Sequence, residues 1–301
     1  MARMDRTAMF EKLGNDVDSK RLINGLPEGF VFEVGKAPLY YESKGELKQL
    51  EGKSTVVNLK TGRAYGPVSD KYCPISNAEA LGSVGYMKEL SLKKYGETAS
   101  GKQWLIGELP KRTILGDDFT PYIVFRNSFD GSSPVQMAMA PLRIVCQNQI
   151  SLAMRSSNYS YSLKHTKNAG DQIAEAQKML NSAHQFLADF EKVAEMFATT
   201  KISDYELQKI MDEMFPVEDG MSELQAVRAE ARRNAFVEAL NEPDLNNFRG
   251  TAWSLINAYS DVITHYRPIR TTDTAQENGF ISVTFDPRWM MALVSKIQSV
   301  K

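Results

Sequence analysis

Cysteine is scarce in this chain: 301 residues hold two, Cys73 and Cys146. Two thiols cannot build a disulfide framework, so a reducing cytoplasm is the expected compartment. Histidine is almost as scarce, with His165, His184 and His265. No CxxC, HExxH or H-x-E…C-x-x-C spacing joins these residues, so no metal site is expected. Nowhere is there an apolar run of about 18 residues, which excludes a helical membrane span. The opening Met1-Ala2-Arg3-Met4-Asp5-Arg6 leads into further charge rather than an apolar core, so a secretory signal is not expected. Phosphate-cradling loops are missing too. Gly62-Arg63-Ala64-Tyr65-Gly66 is too short for a Walker motif, and no GxGxxG follows a strand. There is no serine nucleophile elbow, and Asp117-Asp118 is a single acidic pair without a second metal-ligand motif. No enzyme class and no cofactor is signalled.

The most informative absence is local. Gly131 to Gly170 contains no Asp or Glu, yet holds Arg143, Arg155, Lys164, Lys167, His165, Tyr159 and Tyr161. The following stretch, Asp171 to Gly250, has sixteen acids against eight bases. A chain of net charge −1 thus concentrates positive charge in one window and negative charge in the next. Segregation of this kind points to an anionic partner.

Hydropathy then divides the chain into a strand-rich 1–168 and a helical 169–301 packed on it. Phe30 to Val34 reads as a strand, and Ser54–Asn58 and Arg63–Val68 flank a Leu59-Lys60-Thr61-Gly62 hairpin. Ser76 or Asn77 caps a helix expected over Asn77 to Lys94. Trp104–Leu109, Tyr122–Asn127 and the alternating Val135, Met137 and Met139 are further strands around an Asp130-Gly131 turn. Pro141 fits the first turn of a helix running through Cys146 to Arg155. Beyond it, Ile173, Ala176, Leu180, Ala183, Leu187, Phe190, Ala194 and Phe197 form an apolar seam. Such a seam packs on another element or serves as a homo-oligomer contact. Ser203-x-x-Glu206 and Ser222-x-x-Gln225 are capping boxes for two more helices. Phe248–His265 and a helix opened by Asp286-Pro287 complete an α+β architecture, with a mostly antiparallel sheet in the first half.

Two groups of residues could carry chemistry. In the first, Arg126, Arg143, Arg155, Lys164 and Lys167 neutralise phosphate while Tyr159, Tyr161 and His165 stack on bases. Single-stranded nucleic acid needs that combination. The plainer alternative is a half-buried strand. Alternation puts Tyr159, Tyr161, Leu163 and His165 on one face and Lys164 on the other, and Leu163 gives the ring face the look of core. In the second group, Cys146 is a nucleophile near a helix start, joined by Asp130, Asn148 and His165 or His265. Here too a bland reading competes, because free Cys packs far more often than it reacts. Asn148 satisfies a backbone as readily as a ligand. On the Phe248–His265 helix, Trp253, Asn257, Asp261 and His265 follow i, i+4 spacing; Asp261 either tunes His265 or forms a surface pair with it.

The assembled residues resemble domain-of-unknown-function family 932, found with phages and plasmids. The likeness runs from Leu13-Gly14 and Val17 through Gly25–Val34, then Ser69-Asp70-Lys71-Tyr72-Cys73-Pro74-Ile75-Ser76-Asn77 and Asp130-Gly131-Ser132. It continues in Pro141-Leu142-Arg143-Ile144-Val145-Cys146-Gln147-Asn148 and Leu163-Lys164-His165-Thr166. Gly250-Thr251-Ala252-Trp253, Asn257-Ala258 and His265 close it. Two positions depart: Phe129 stands where the family tends to have His, and Gln149 where it has Thr, so no catalytic role is carried onto position 129. The resemblance implies a mobile-element protein working in a bacterial cytoplasm. The order of elements is also similar to the core of ring-forming phage single-strand annealing proteins. Together these readings give an expected single-stranded-DNA-binding protein of annealing or recombination, oligomerising through Ile173–Phe197. The alternatives are a Cys/Asn/His enzyme and a module that binds a host protein through the acidic half.

Overall fold

The computed structural model describes residues 13–81, 89–98, 100–143, 148–149, 160–166, 183–217, 220–265 and 288–300. Its strands, in chain order, are β1 (Asn15–Asp16), β2 (Leu22–Ile23), β3 (Leu26–Pro27), β4 (Val34–Ser43), β5 (Glu46–Asn58) and β6 (Ala64–Ser69). They continue with β7 (Ser91–Glu97), β8 (Lys102–Glu108), β9 (Arg112–Ile114), β10 (Asp117–Ser128), β11 (Val135–Arg143), β12 (Asn148–Gln149) and β13 (Ser160–Leu163). The described helices are α1 (Asn77–Leu81), α2 (Ala183–Thr199), α3 (Asp204–Met214), α4 (Glu223–Leu240), α5 (Ala252–His265) and α6 (Arg288–Ser299).

The largest unit is an antiparallel eight-stranded sheet ordered β1-β7-β8-β10-β11-β12, with β9 on β10 and β13 on β11. Its register fixes which side chains share a face. Leu105, Phe125, Met137 and Tyr161 lie in one row across the strands, and Trp104, Arg126, Gln136 and Ser162 in the next. Successive residues of a strand point to opposite faces, so these two rows lie on opposite sides of the sheet. The first row belongs to a core with Phe30, Ile123, Leu163, Phe186 and Leu187. Phe30 meets Phe125 edge-on at 5.9 Å, the geometry that the ring quadrupoles favour. The α+β architecture is therefore as the sequence indicates, with the later part of the chain helical.

A second core lies among the helices, and the sheet enters it. Phe119 of β10 sits 5.4 Å from Phe190 of α2 and 6.3 Å from Trp253 of α5, all three fully buried. Ile114 of β9 joins them. The apolar seam is thus used within the chain: Leu187, Phe190, Ala194 and Phe197 are all buried, each removal from water contributing about 1–3 kcal/mol for the larger side chains. Positions 173–182 of that seam lie outside the described residues. The capping boxes at Ser203 and Ser222 form as their spacing predicts, each serine accepting from the third residue's N–H while that residue's side chain returns to the cap.

Three local expectations fail. Residues 28–30 form a 3-10 turn after Pro27, and β4 starts only at Val34, because Phe30 is drawn into the core rather than into a ladder. The helix expected to Lys94 is described only as far as Leu81, and Ser91–Glu97 is instead a strand paired with β8. There Gly96 lets the Trp104 ring approach, since a Cβ at 96 would come within 2.5 Å of it. Nor does Pro141 open a helix: it lies in β11 opposite Pro121. Pro121 O accepts from Leu109 N–H, away from β11, so the two residues fit a non-hydrogen-bonded pair and their missing N–H groups cost the β10–β11 ladder no donor.

Candidate functional site

The segments singled out by sequence meet at the Ser128 end of β10. The loop from Ser69 to Asn77 crosses this end and is fastened by amides. Asn127 donates to Ile75 O (2.9 Å) and Asn77 Oδ1 (3.0 Å), and Asn77 donates to Phe30 O (3.0 Å) and to Gln103 Oε1. All three side chains are buried, where hydrogen bonds are obligatory. Tyr72 donates its phenol to Ser128 O at 2.7 Å, and Cys73 N–H donates to His165 O at 3.2 Å. The Tyr72 and His165 rings are stacked, 4.6 Å apart and inclined by 24°. Asp130 caps its own turn, accepting from Ser132 N–H and Oγ–H, and Gly131 completes the turn with φ 74°. A side chain at Gly131 would press on Val68, 3.3 Å away.

Burial sets the proton chemistry here. It removes the imidazolium of His165 from water and pushes its pKa down to about 4; the nearby Cys73 backbone offsets part of this. Among the described residues neither ring nitrogen reaches hydrogen-bond geometry with a partner. Burial, and then the Asp130 carboxylate, push the Tyr72 phenol well above its ordinary value. At neutral pH the pair is an uncharged stack beside one carboxylate. It can orient a neighbouring loop.

The expected nucleic-acid residues are divided by the sheet. Tyr161 packs against the core face, and His165 is buried. Arg126 lies on the opposite face, where Nε donates to Gln136 Oε1 at 3.1 Å and the guanidinium's second nitrogen bonds the same oxygen. Partial burial lowers the Arg126 pKa. Ser160, Ser162 and Lys164 are exposed. Arg143 and Asn148 are brought together as a cross-strand pair of β11 and β12, and α5, which ends at His265, packs near β12. Cys146, Arg155, Tyr159 and Lys167 lie outside the described residues. On α5 the Trp253-Asn257-Asp261 ridge is interior, each residue no more than 1% exposed, with Asn257 donating to Trp253 O at 2.8 Å. A surface pair at Asp261 is thereby replaced by a buried carboxylate.

A family model for a domain of unknown function, DUF932, matches residues 64–280, most of the chain. The chain belongs to the DUF932 family. No curated protein and no solved structure matches it. The DUF932 match spans the tyrosine loop, the Asp130 turn, β13 and α5, so it covers the whole cluster around Tyr72 and His165. Tyr72 carries no individual signal in the sequence; only its place in the Ser69–Asn77 segment marks it. Among the described residues no three His, Cys, Asp or Glu side chains gather to hold a metal, and no helix is long and apolar enough to cross a membrane.

Proposed function

We propose that this DUF932 protein acts in mobile-element DNA metabolism by binding single-stranded DNA without catalysis, in annealing or recombination. The supporting observation is one face of the sheet, on which Arg126 of the inner strand β10 lies in row with the exposed Ser162 of β13 and beside the exposed Ser160, with the exposed Lys164 directly after β13, within or next to the acid-free window. Cations and hydroxyls of this kind suit phosphate oxygens, while the inward Tyr161 and His165 rings are left to hold the strand in place. Binding is then carried by charge and falls steeply with salt. The test is fluorescence anisotropy with an oligonucleotide of about 40 bases at low salt. Lys164→Glu should weaken binding and reduce the salt slope by about one. No binding by the unaltered protein at low salt would end this reading.

A further inference from the structure

Helix α4 is longer than the core it serves. Of its 18 residues only Ala235, Phe236 and Ala239 are buried, and none from Glu223 to Asn234 is. The side turned to the protein is marked by Ala226, Ala229, Arg233 and Phe236, at three- and four-residue spacing. The first three of these are half-buried, and Arg233 reaches Asp212 of α3 at 2.7 Å. Phe236 packs on Phe215 and Tyr259, with ring centres 5.6 and 6.2 Å away. At 3.6 residues per turn, Leu224, Val227, Ala231 and Asn234 lie on the opposite side. Leu224 is 59% exposed and Val227 55%. A single exposed apolar residue is ordinary, but a second seam at heptad spacing, turned away from the protein's own core, is a contact surface. The capping box at Ser222 holds this projecting part helical, and Glu223 to Arg233 contains neither Gly nor Pro.

Charge decides what the seam meets. Glu223 flanks it on one side and Arg228 on the other; both are exposed, and among the described residues neither is in an ion pair. When two such seams pack in parallel, position 223 of one helix faces position 228 of the other, five residues on, and the twofold axis makes that pair twice. Packed antiparallel, they would set Glu against Glu and Arg against Arg. The pattern is therefore complementary to itself, and in one orientation.

We infer that α4 pairs with α4 of a second copy as a short parallel coiled coil. Leu224 and Val227 meet their counterparts, Ala231 lets the helices approach, and Asn234 faces Asn234 of the other copy. A paired amide in such a seam costs stability and fixes the register. Three turns cover much less than the roughly 1,600 Å² of a standard interface, so the dimer is weak and reversible, with a Kd on the order of 100 µM. The surface is separate from the Ile173–Phe197 seam, whose described apolar residues are used within the chain, and it stands whether or not DNA is the ligand.

Sedimentation equilibrium of the full chain, at concentrations bracketing that Kd, tests the pairing. The unaltered protein should show a monomer–dimer equilibrium. Leu224→Glu should weaken it at least about tenfold, the loss of one interface anchor, with the circular dichroism spectrum unchanged. Glu223→Arg and Arg228→Glu should each weaken association, and the double variant should restore it, because each flank again faces its opposite charge. Asn234→Cys should give a disulfide-linked dimer on mild oxidation, beyond any formed by the unaltered protein, and adding Leu224→Glu should abolish it. A monomer throughout would overturn the inference, as would a dimer indifferent to Leu224→Glu. A double charge variant that fails to restore association, or no cross-link at position 234, would overturn the parallel pairing.

Discussion

Replacing His165 by Phe isolates the proton linkage of the stacked pair. Phe keeps a planar ring against Tyr72, stacked 4.6 Å away in the native protein, and removes the only titrating group of that stack near neutrality. The folded pKa of about 4 lies below the ordinary 6.5, chiefly through burial. Above pH 6.5 the imidazole is neutral in both folded and unfolded chains, and it contributes no pH dependence. Between 6.5 and about 4 the unfolded chain takes up a proton that the folded chain refuses, so stability falls as pH falls. Below about 4 both forms are protonated and the loss is complete. At roughly 1.4 kcal/mol per pKa unit, the whole window is worth about 3 kcal/mol. Urea unfolding of the native protein and His165→Phe at several pH values from 7.5 to about 4 reads this directly, because the shared carboxylates cancel in the difference. The variant should be about as stable as the native protein at pH 7.5, since it removes two buried nitrogens that reach no hydrogen-bond partner among the described residues. It should then gain about 3 kcal/mol on it by pH 4. Two parallel stability curves would refute the claim that His165 is buried in its neutral form.

Two further substitutions probe how the site is held. Asn127→Ala removes the amide that fastens Ile75 and Asn77 and leaves buried acceptors without a donor, so urea denaturation should show a loss of about 2–3 kcal/mol. Gly96→Ala drives a methyl to within 2.5 Å of Trp104, which should cost about 1–3 kcal/mol and shift the tryptophan fluorescence spectrum.

What the sequence disclosed was chemistry that acts between near neighbours. Gly62 has the positive φ, 73°, that its hairpin needs, and each capping serine finds its partner three residues on. The alternation around Leu163 assigned Tyr161 to the inward face, as the register has it. The misses arise where distant segments decide. Ser91–Glu97 is a strand because β1 and β8 flank it, and Pro141 extends a strand because Pro121 faces it. At the site, the stacking of Tyr72 on His165 and the Asn77–Asn127 amide bond join segments far apart in the chain, and no local pattern encodes such a meeting. Asp261 reads as a solvent-facing helix residue from composition alone. Only the packing of α5 places it inside.

The entry of Phe119 into the helical core bears on how the protein is made. Its slot is closed by Phe190 and Trp253, which leave the ribosome later than β10 does. At ordinary synthesis rates that delay is on the order of ten seconds. For that interval a nearly complete strand system carries an uncovered aromatic ring, and aggregation competes with folding. A fragment stopped before Trp253 would retain the same exposure permanently.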